Sequence, residues 1–179
     1  MHVRYDACNQ EGAEAVMLDI KNVLVATDFS ESSDAALIYA RALAGTFGAR
    51  LHILHTVEFV ATADVMGVAV PDLYKGVESA ARQQLEGLIS ETDREIFGAR
   101  PVLVTGGTPA QAIIDYAKKA EIDLIVLGTH GRRGLSHLVM GSVAERVVRV
   151  APCPVLTVRH PEREFVVPRA KNELADARR

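Results

Sequence analysis

The chain has no tryptophan, and aromatic residues fill only 5% of its 179 positions. A groove that binds nucleic acid by stacking bases needs aromatic side chains interleaved with basic ones, and no such stripe occurs. Positive charge is not in surplus either: the formal net charge is −3, which gives no field for wrapping DNA or RNA. Cysteine is scarce, and Cys8 and Cys153 are too few to make a disulfide framework. Cys8 lies in a polar segment and is expected to be exposed, whereas Cys153, set between two prolines, is expected to be a buried structural thiol. No apolar run approaches the roughly 18 residues that a spanning helix needs. Asp6, Glu11, Glu14 and Asp19 stand where a secretory leader would be basic and then apolar, so no signal peptide is expected. His52, His55 and His137 lack metal-ligand spacing, and no Ser-His-Asp or Cys-His constellation can be assembled. These absences predict a cytoplasmic protein with no nucleic-acid partner and no membrane.

What is present is ordinary for an α/β domain: 49% hydrophobic and 24% charged residues, in a chain long enough for one full core. Short β-branched runs alternate with helical periodicity. Val23–Thr27 reads as a strand, followed by Ser30 as an N-cap with Glu31 and Asp34 in the first turn. Leu37, Ala40, Leu43, Ala44 and Phe47 recur at helical spacing, and Gly48 closes that helix. Leu51–Thr56 is the second strand. Leu73 to about Phe97 reads as one long amphipathic helix with Val77, Ala81, Leu85 and Leu88 on its apolar stripe. Pro101–Thr105 is the third strand, and Thr108-Pro109-Ala110-Gln111 resembles a capping box with Pro at the first helical position. Ile113, Ile114, Tyr116, Ala117 and Ala120 lead to a fourth strand over Asp123–Leu127. Val143, Ala144, Val147, Val148 and Val150 form the last helix, and Pro154–Val158 the last strand. Alternating βα units demand a parallel sheet with right-handed crossovers and helices on both faces.

The fourth strand runs into Gly128-Thr129-His130-Gly131, and nine residues later comes Gly141-Ser142. Glycines at a strand end let backbone N–H groups approach an anion, and a helix starting near Gly141 adds unpaired N–H groups and a positive dipole end. Ser142 can add a hydroxyl. One such helix end favours an anion by only about 0.3–2 kcal/mol, so several groups must converge to hold a nucleotide. The alternative is that these glycines serve only the turn and the cap. The chain lacks G-x-x-x-x-G-K-[ST] and is not a P-loop enzyme.

Gly128 to Ser142 resembles the G-x-x-G-x9-G-[S/T] nucleotide signature of the universal stress protein family. Val23-Leu24-Val25-Ala26-Thr27-Asp28-Phe29-Ser30 is similar to that family's first strand and loop, and Ala151-Pro152-Cys153-Pro154-Val155-Leu156-Thr157-Val158 to its last strand. The resemblance implies a doubly wound five-stranded parallel sheet of order 3-2-1-4-5, adenine-nucleotide alpha-hydrolase-like, over residues 21–160. Residues 1–20 form an N-terminal extension and residues 161–179 a charged tail. The order reverses between the first and fourth strands, where ligands of such sheets bind.

By the same resemblance ATP is contacted at Ala26, Thr27, Asp28, Thr56, Gly128, His130, Gly131, Arg132, Gly141, Ser142 and Val143, with Mg2+ or Mn2+ on the phosphates. The first strand and Thr56 take the adenine and ribose end, largely through backbone atoms. Asp28 can accept ribose hydroxyls, help place the ion, or simply make the turn into the Ser30 helix. His130 can donate to phosphate or serve packing; Arg132 and Arg133 can reach terminal phosphates or remain a solvated pair. A family subtype that does without nucleotide would be expected to lose Gly131, Gly141 or Ser142, and all three are present. No base for hydrolysis identifies itself, so any ATPase activity is expected to be slow. The connection Phe59–Asp72 is long enough for a lid. The apolar edge strand Pro154–Val158 is expected to seek a partner strand, and the resemblance implies that it pairs antiparallel in a homodimer, at the residues after Pro154, which has no N–H.

Overall fold

The computed structural model describes residues 18–58, 70–129 and 140–159, with backbone alone at 70–73. In chain order the elements are β1 (Asn22–Ala26), α1 (Glu31–Phe47), β2 (Arg50–Val57), α2 (Val70–Gly87), α3 (Glu91–Phe97), β3 (Arg100–Thr105), α4 (Pro109–Lys119), β4 (Leu124–Gly128), α5 (Ser142–Val150) and β5 (Val155–Val158). The strands are parallel in the order β3-β2-β1-β4-β5, as expected.

Period-two alternation splits the core into two halves. Val23, Val25, Leu51, Ile53 and Val126 point to one face, where Ala36, Leu37, Ala40 and Ala44 of α1 and Leu85 of α2 cover them. Leu24, Leu54, Ile125 and Leu127 point to the other, under Ile113, Ile114 and Ala117 of α4 and Ala144 and Val147 of α5. Each fully buried branched side chain contributes roughly 1.5–3 kcal/mol, so both helix layers are needed to close the sheet.

Local signals explain α1. Ser30 caps it through a reciprocal box with Ser33, and Gly48 ends it at φ 67°. Three other expectations require correction. The stretch from Leu73 to Phe97 is two helices, not one. Leu88 and Ile89 donate back three residues to Leu85 and Glu86, tightening the last turn, and Ser90 then starts α3 through a reciprocal cap with Asp93. Arg41 seals this break from α1, donating to the Leu88 carbonyl (2.7 Å) and to both oxygens of the buried Asp93 carboxylate (2.9 and 2.8 Å). Burial pushes the Asp93 carboxyl upward, but hydrogen bonds from Arg41 and Ser90 outweigh it and hold the group below its ordinary value. The second correction is at α4, where Thr108 makes no side-chain cap bond and Gln111 instead donates to Asp115, one turn on. Third, the apolar stripe of α2 is narrower than expected: Val77 is 45% exposed, because one helix face can reach the sheet, and Val148 and Val150 of α5 are likewise each 48% exposed. Cys153 is half-buried, and burial raises its thiol pKa.

At the end of β4 helix α1 crosses very close. A Cβ on Gly128 would lie 2.5 Å from Ser32 Oγ and 2.8 Å from the Ser32 carbonyl oxygen. On the opposite face, β2 buries His52, whose Nδ1 is 2.8 Å from the Tyr116 hydroxyl. Burial, then the nearby Arg100 and Arg50 charges, push its pKa down to about 4 from 6.5.

Gly128→Ala is expected to force α1 off β4 and to cost about 1–3 kcal/mol in denaturant unfolding; an unchanged midpoint would show that Ser32 yields freely. For His52 the sign is fixed by linkage. The unfolded chain takes up a proton below pH 6.5 that the native state refuses until about pH 4, so this residue's contribution is full above 6.5 and lost as pH falls through that window. Histidine NMR titration should find the low value, and His52→Gln should flatten that part of the stability profile.

Candidate functional site

The crevice at the order reversal is walled by the loops leaving β1 and β4. Register pairs Val25 with Val126, so Ala26, the last residue of β1, stands level with Leu127, and Gly128 ends β4 one residue further on. Ala26 packs on the α4–α5 half of the core, together with Met140 and Val143. Thr56 belongs to that side too, by alternation from Leu54. Thr27 and Gly128 turn the other way, toward α1.

Thr27 is buried and its polar atoms have protein partners. Its N–H donates to the Leu54 carbonyl (2.8 Å), and its own carbonyl lies 2.8 Å from His55 Nδ1. The hydroxyls run in one direction. Ser33 Oγ gives its hydrogen to the Ser30 carbonyl (2.8 Å), so Thr27 Oγ1 must donate to Ser33 Oγ (3.0 Å) and accept from the Phe29 N–H (3.0 Å). Thr27 is therefore a brace for the loop, leaving a ligand its methyl group and the second lone pair of its carbonyl. Asp28 makes the turn into α1. One oxygen, Oδ1, accepts from the Ser30 N–H (3.2 Å) and from the Ser30 hydroxyl (2.6 Å). Phe29 follows with φ 63°, a strained value for an aromatic residue that costs on the order of 1–3 kcal/mol.

Across the crevice Thr129 continues β4, donating from its N–H to the Val158 carbonyl (2.9 Å). Its own carbonyl accepts from the Gly141 N–H (2.8 Å), so the two ends of the intervening loop are tied together. Gly141 is the N-cap of α5 and brings no side-chain cap. Intrahelical bonding begins with Glu145 N–H to the Gly141 carbonyl (2.9 Å), which leaves the Ser142, Val143 and Ala144 amides without helical acceptors. At α1 the third of these positions is served: the Ser33 N–H donates to the Ser30 hydroxyl, while Ser33 Oγ accepts from the N–H of Ser30 itself. The α5 start is thus a group of donors facing the switch point, with the exposed Ser142 hydroxyl beside it.

The fold accordingly brings Ala26, Thr27, Asp28, Thr56, Gly128, Gly141, Ser142 and Val143 to one end of the sheet. His130, Gly131, Arg132, Arg133 and His137 lie outside the described residues, as do most of the Phe59–Asp72 connection and Cys8. Sequence reasoning passed over Ser32, Ser33 and His55, which shape the crevice from behind. Ser33 had a local signal, three residues after an N-cap serine; the other two act through contacts distant in sequence. Among the described residues no group of three His, Cys, Asp or Glu side chains could cage a metal, and no helix is long and apolar enough to cross a membrane.

A family model described as the universal stress protein family matches residues 19–159. A universal stress protein of Methanocaldococcus jannaschii is 33% identical over 148 residues, covering 80% of this chain and 85% of the relative. One from Thermus aquaticus is 36% identical over 142 residues, 78% of this chain and 98% of the relative. Among solved structures, a universal stress protein from Lactobacillus plantarum superposes with a TM-score of 0.63 at 29% identity, covering 80% of this chain and all of that one. The fold is shared with an Archaeoglobus fulgidus universal stress protein in complex with dAMP (TM-score 0.54, 22% identity, 79% of this chain and 99% of that one). It is shared too with a universal stress protein in complex with cAMP (TM-score 0.50, 23% identity, 79% and 98%). The chain belongs to the universal stress protein family.

Proposed function

We propose that the chain binds ATP in the crevice between β1 and β4 and acts in the cytoplasm as a nucleotide-linked regulator of a stress response. The observation that carries this reading is the α5 start: a helix N-terminus without a side-chain cap, tied by Gly141 to Thr129 at the sheet's switch point. The dAMP and cAMP complexes of similarly folded proteins support an adenine nucleotide. The triphosphate is supported by Arg132 and Arg133, which sit in sequence between the glycines. Mg2+ or Mn2+ would be held chiefly by phosphate oxygens and water, with Asp28 as the nearest carboxylate by motif. Asp28 Oδ1 is fastened to Ser30 and is poorly suited to act as a general base, which favours a long-lived complex over rapid turnover.

The reading extends to a homodimer through β5. Pro154 and Val158 direct their carbonyls to β4, so by parity Val155 and Thr157 turn their backbone groups to the outer edge. Exposed Val148 and Val150 of α5 precede this edge in the chain.

Two measurements test these proposals. Gly141→Val puts a branched side chain where phosphate needs bare backbone. The folded variant should lose at least about 1.4 kcal/mol, or tenfold, of ATP affinity by calorimetry; unchanged affinity would remove the phosphate site from α5. Light scattering at tens of micromolar should give a dimer. Thr157→Pro, which deletes an outward N–H without touching the β4 ladder, should give a folded monomer. A strictly monomeric wild-type chain would end the dimer reading.

A further inference from the structure

Phe29 is one of two non-glycine residues with positive φ among the described residues, and its side chain is bulky. Backbone in this region persists only where its surroundings hold it. The holding group is on β2. The Phe29 ring lies against the His55 imidazole, with centroids 4.3 Å apart and planes inclined at 39°. His55 is itself buried, with Nδ1 2.8 Å from the Thr27 carbonyl oxygen. A carbonyl only accepts, so Nδ1 carries the proton and the tautomer is set. One side chain therefore grips the residue before Asp28 by a hydrogen bond and the residue after it by ring contact.

We propose that His55 is a positioning residue for nucleotide binding: with Phe29 it latches the Thr27–Phe29 turn in its left-handed form and so sets where Asp28 stands at the crevice. The latch rests on the nucleotide reading above, and it acts through Thr27 and Phe29 rather than by touching ligand. The tautomer-fixing bond and the stack supply separable parts, since one needs a donor and the other a ring. His52 provides the natural control. It is buried on the same strand, three residues away and so on the opposite face, against Tyr116 of α4.

The test compares His55→Phe, which keeps a ring without a donor, and His55→Gln, which keeps a donor without a ring, with His52→Gln. ATP with Mg2+ is titrated by calorimetry, and amide exchange at Phe29 and Ser30 is followed by NMR. Both His55 variants should weaken ATP and speed exchange at those two amides by about tenfold. His52→Gln should lower the melting temperature and change neither. If the His55 variants do not fold, Phe29→Leu, which keeps bulk without a stacking ring, should show the same two effects. Unchanged exchange overturns the latch, and faster exchange with unchanged ATP affinity overturns its role in binding. Weaker ATP with unchanged exchange would mean that His55 meets the ligand directly, and the proposal fails. Should wild-type protein take up no ATP, the nucleotide reading and the positioning role fall together. The exchange rates would still decide whether His55 holds the turn.

Discussion

Helix α1 can lie across the end of β4 only because residue 128 has no side chain. Ser32 fills the space that a Cβ would occupy, approaching with both hydroxyl and carbonyl. This contact fixes the distance between the two loops that wall the crevice, since Ser32 sits in the helix begun by Ser30 and Gly128 ends the strand that leads to Thr129. Gly128 therefore has a packing reason that precedes any ligand. A glycine at this place serves the packing of α1 on β4.

Behind the crevice the hydrogen bonds form a directed chain: Phe29 N–H to Thr27 hydroxyl, to Ser33 hydroxyl, to Ser30 carbonyl. It satisfies buried polar atoms that would otherwise each cost about 1–3 kcal/mol. At the start of α1 the reciprocal box ties down the Ser30 and Ser33 N–H groups. Helix α5 starts differently, with a glycine cap that makes no side-chain cap bond. The two walls thus differ at their helix starts, one closed by a serine box and the other by glycine alone.

Much of this was legible in the sequence, and what was legible was local or periodic. Ser30 and Gly48 announce the ends of α1 through side-chain and backbone chemistry within a turn, and the short runs Val23–Thr27 and Leu51–Thr56 announce the first two strands. The break at Ser90 was also written locally, as Ser90-Glu91-Thr92-Asp93, but the continuing stripe of Leu85 and Leu88 masked it. Its decisive partner, Arg41, lies some fifty residues upstream, in another helix. The valines of α5 mark a helix, but periodicity cannot say how wide a stripe the sheet will cover, and Val148 and Val150 stay half exposed. At the site, motif spacing brought Asp28 and Gly141 to one end of the sheet. It was silent on Ser32 and His55, whose roles exist only once α1 and β2 are packed against the β1 loop.

The central claim is that an adenine nucleotide occupies the crevice at the β1–β4 reversal. Amide NMR during titration of the intact protein with ATP and Mg2+ tests binding and location together. The account predicts shifts concentrated at Ala26–Ser30, Gly128–Thr129 and Gly141–Val143, with Lys21, Gly48 and Gly98 at the opposite ends of the strands unmoved. Saturating ATP that leaves the first group unshifted, or that moves the second group instead, would contradict it.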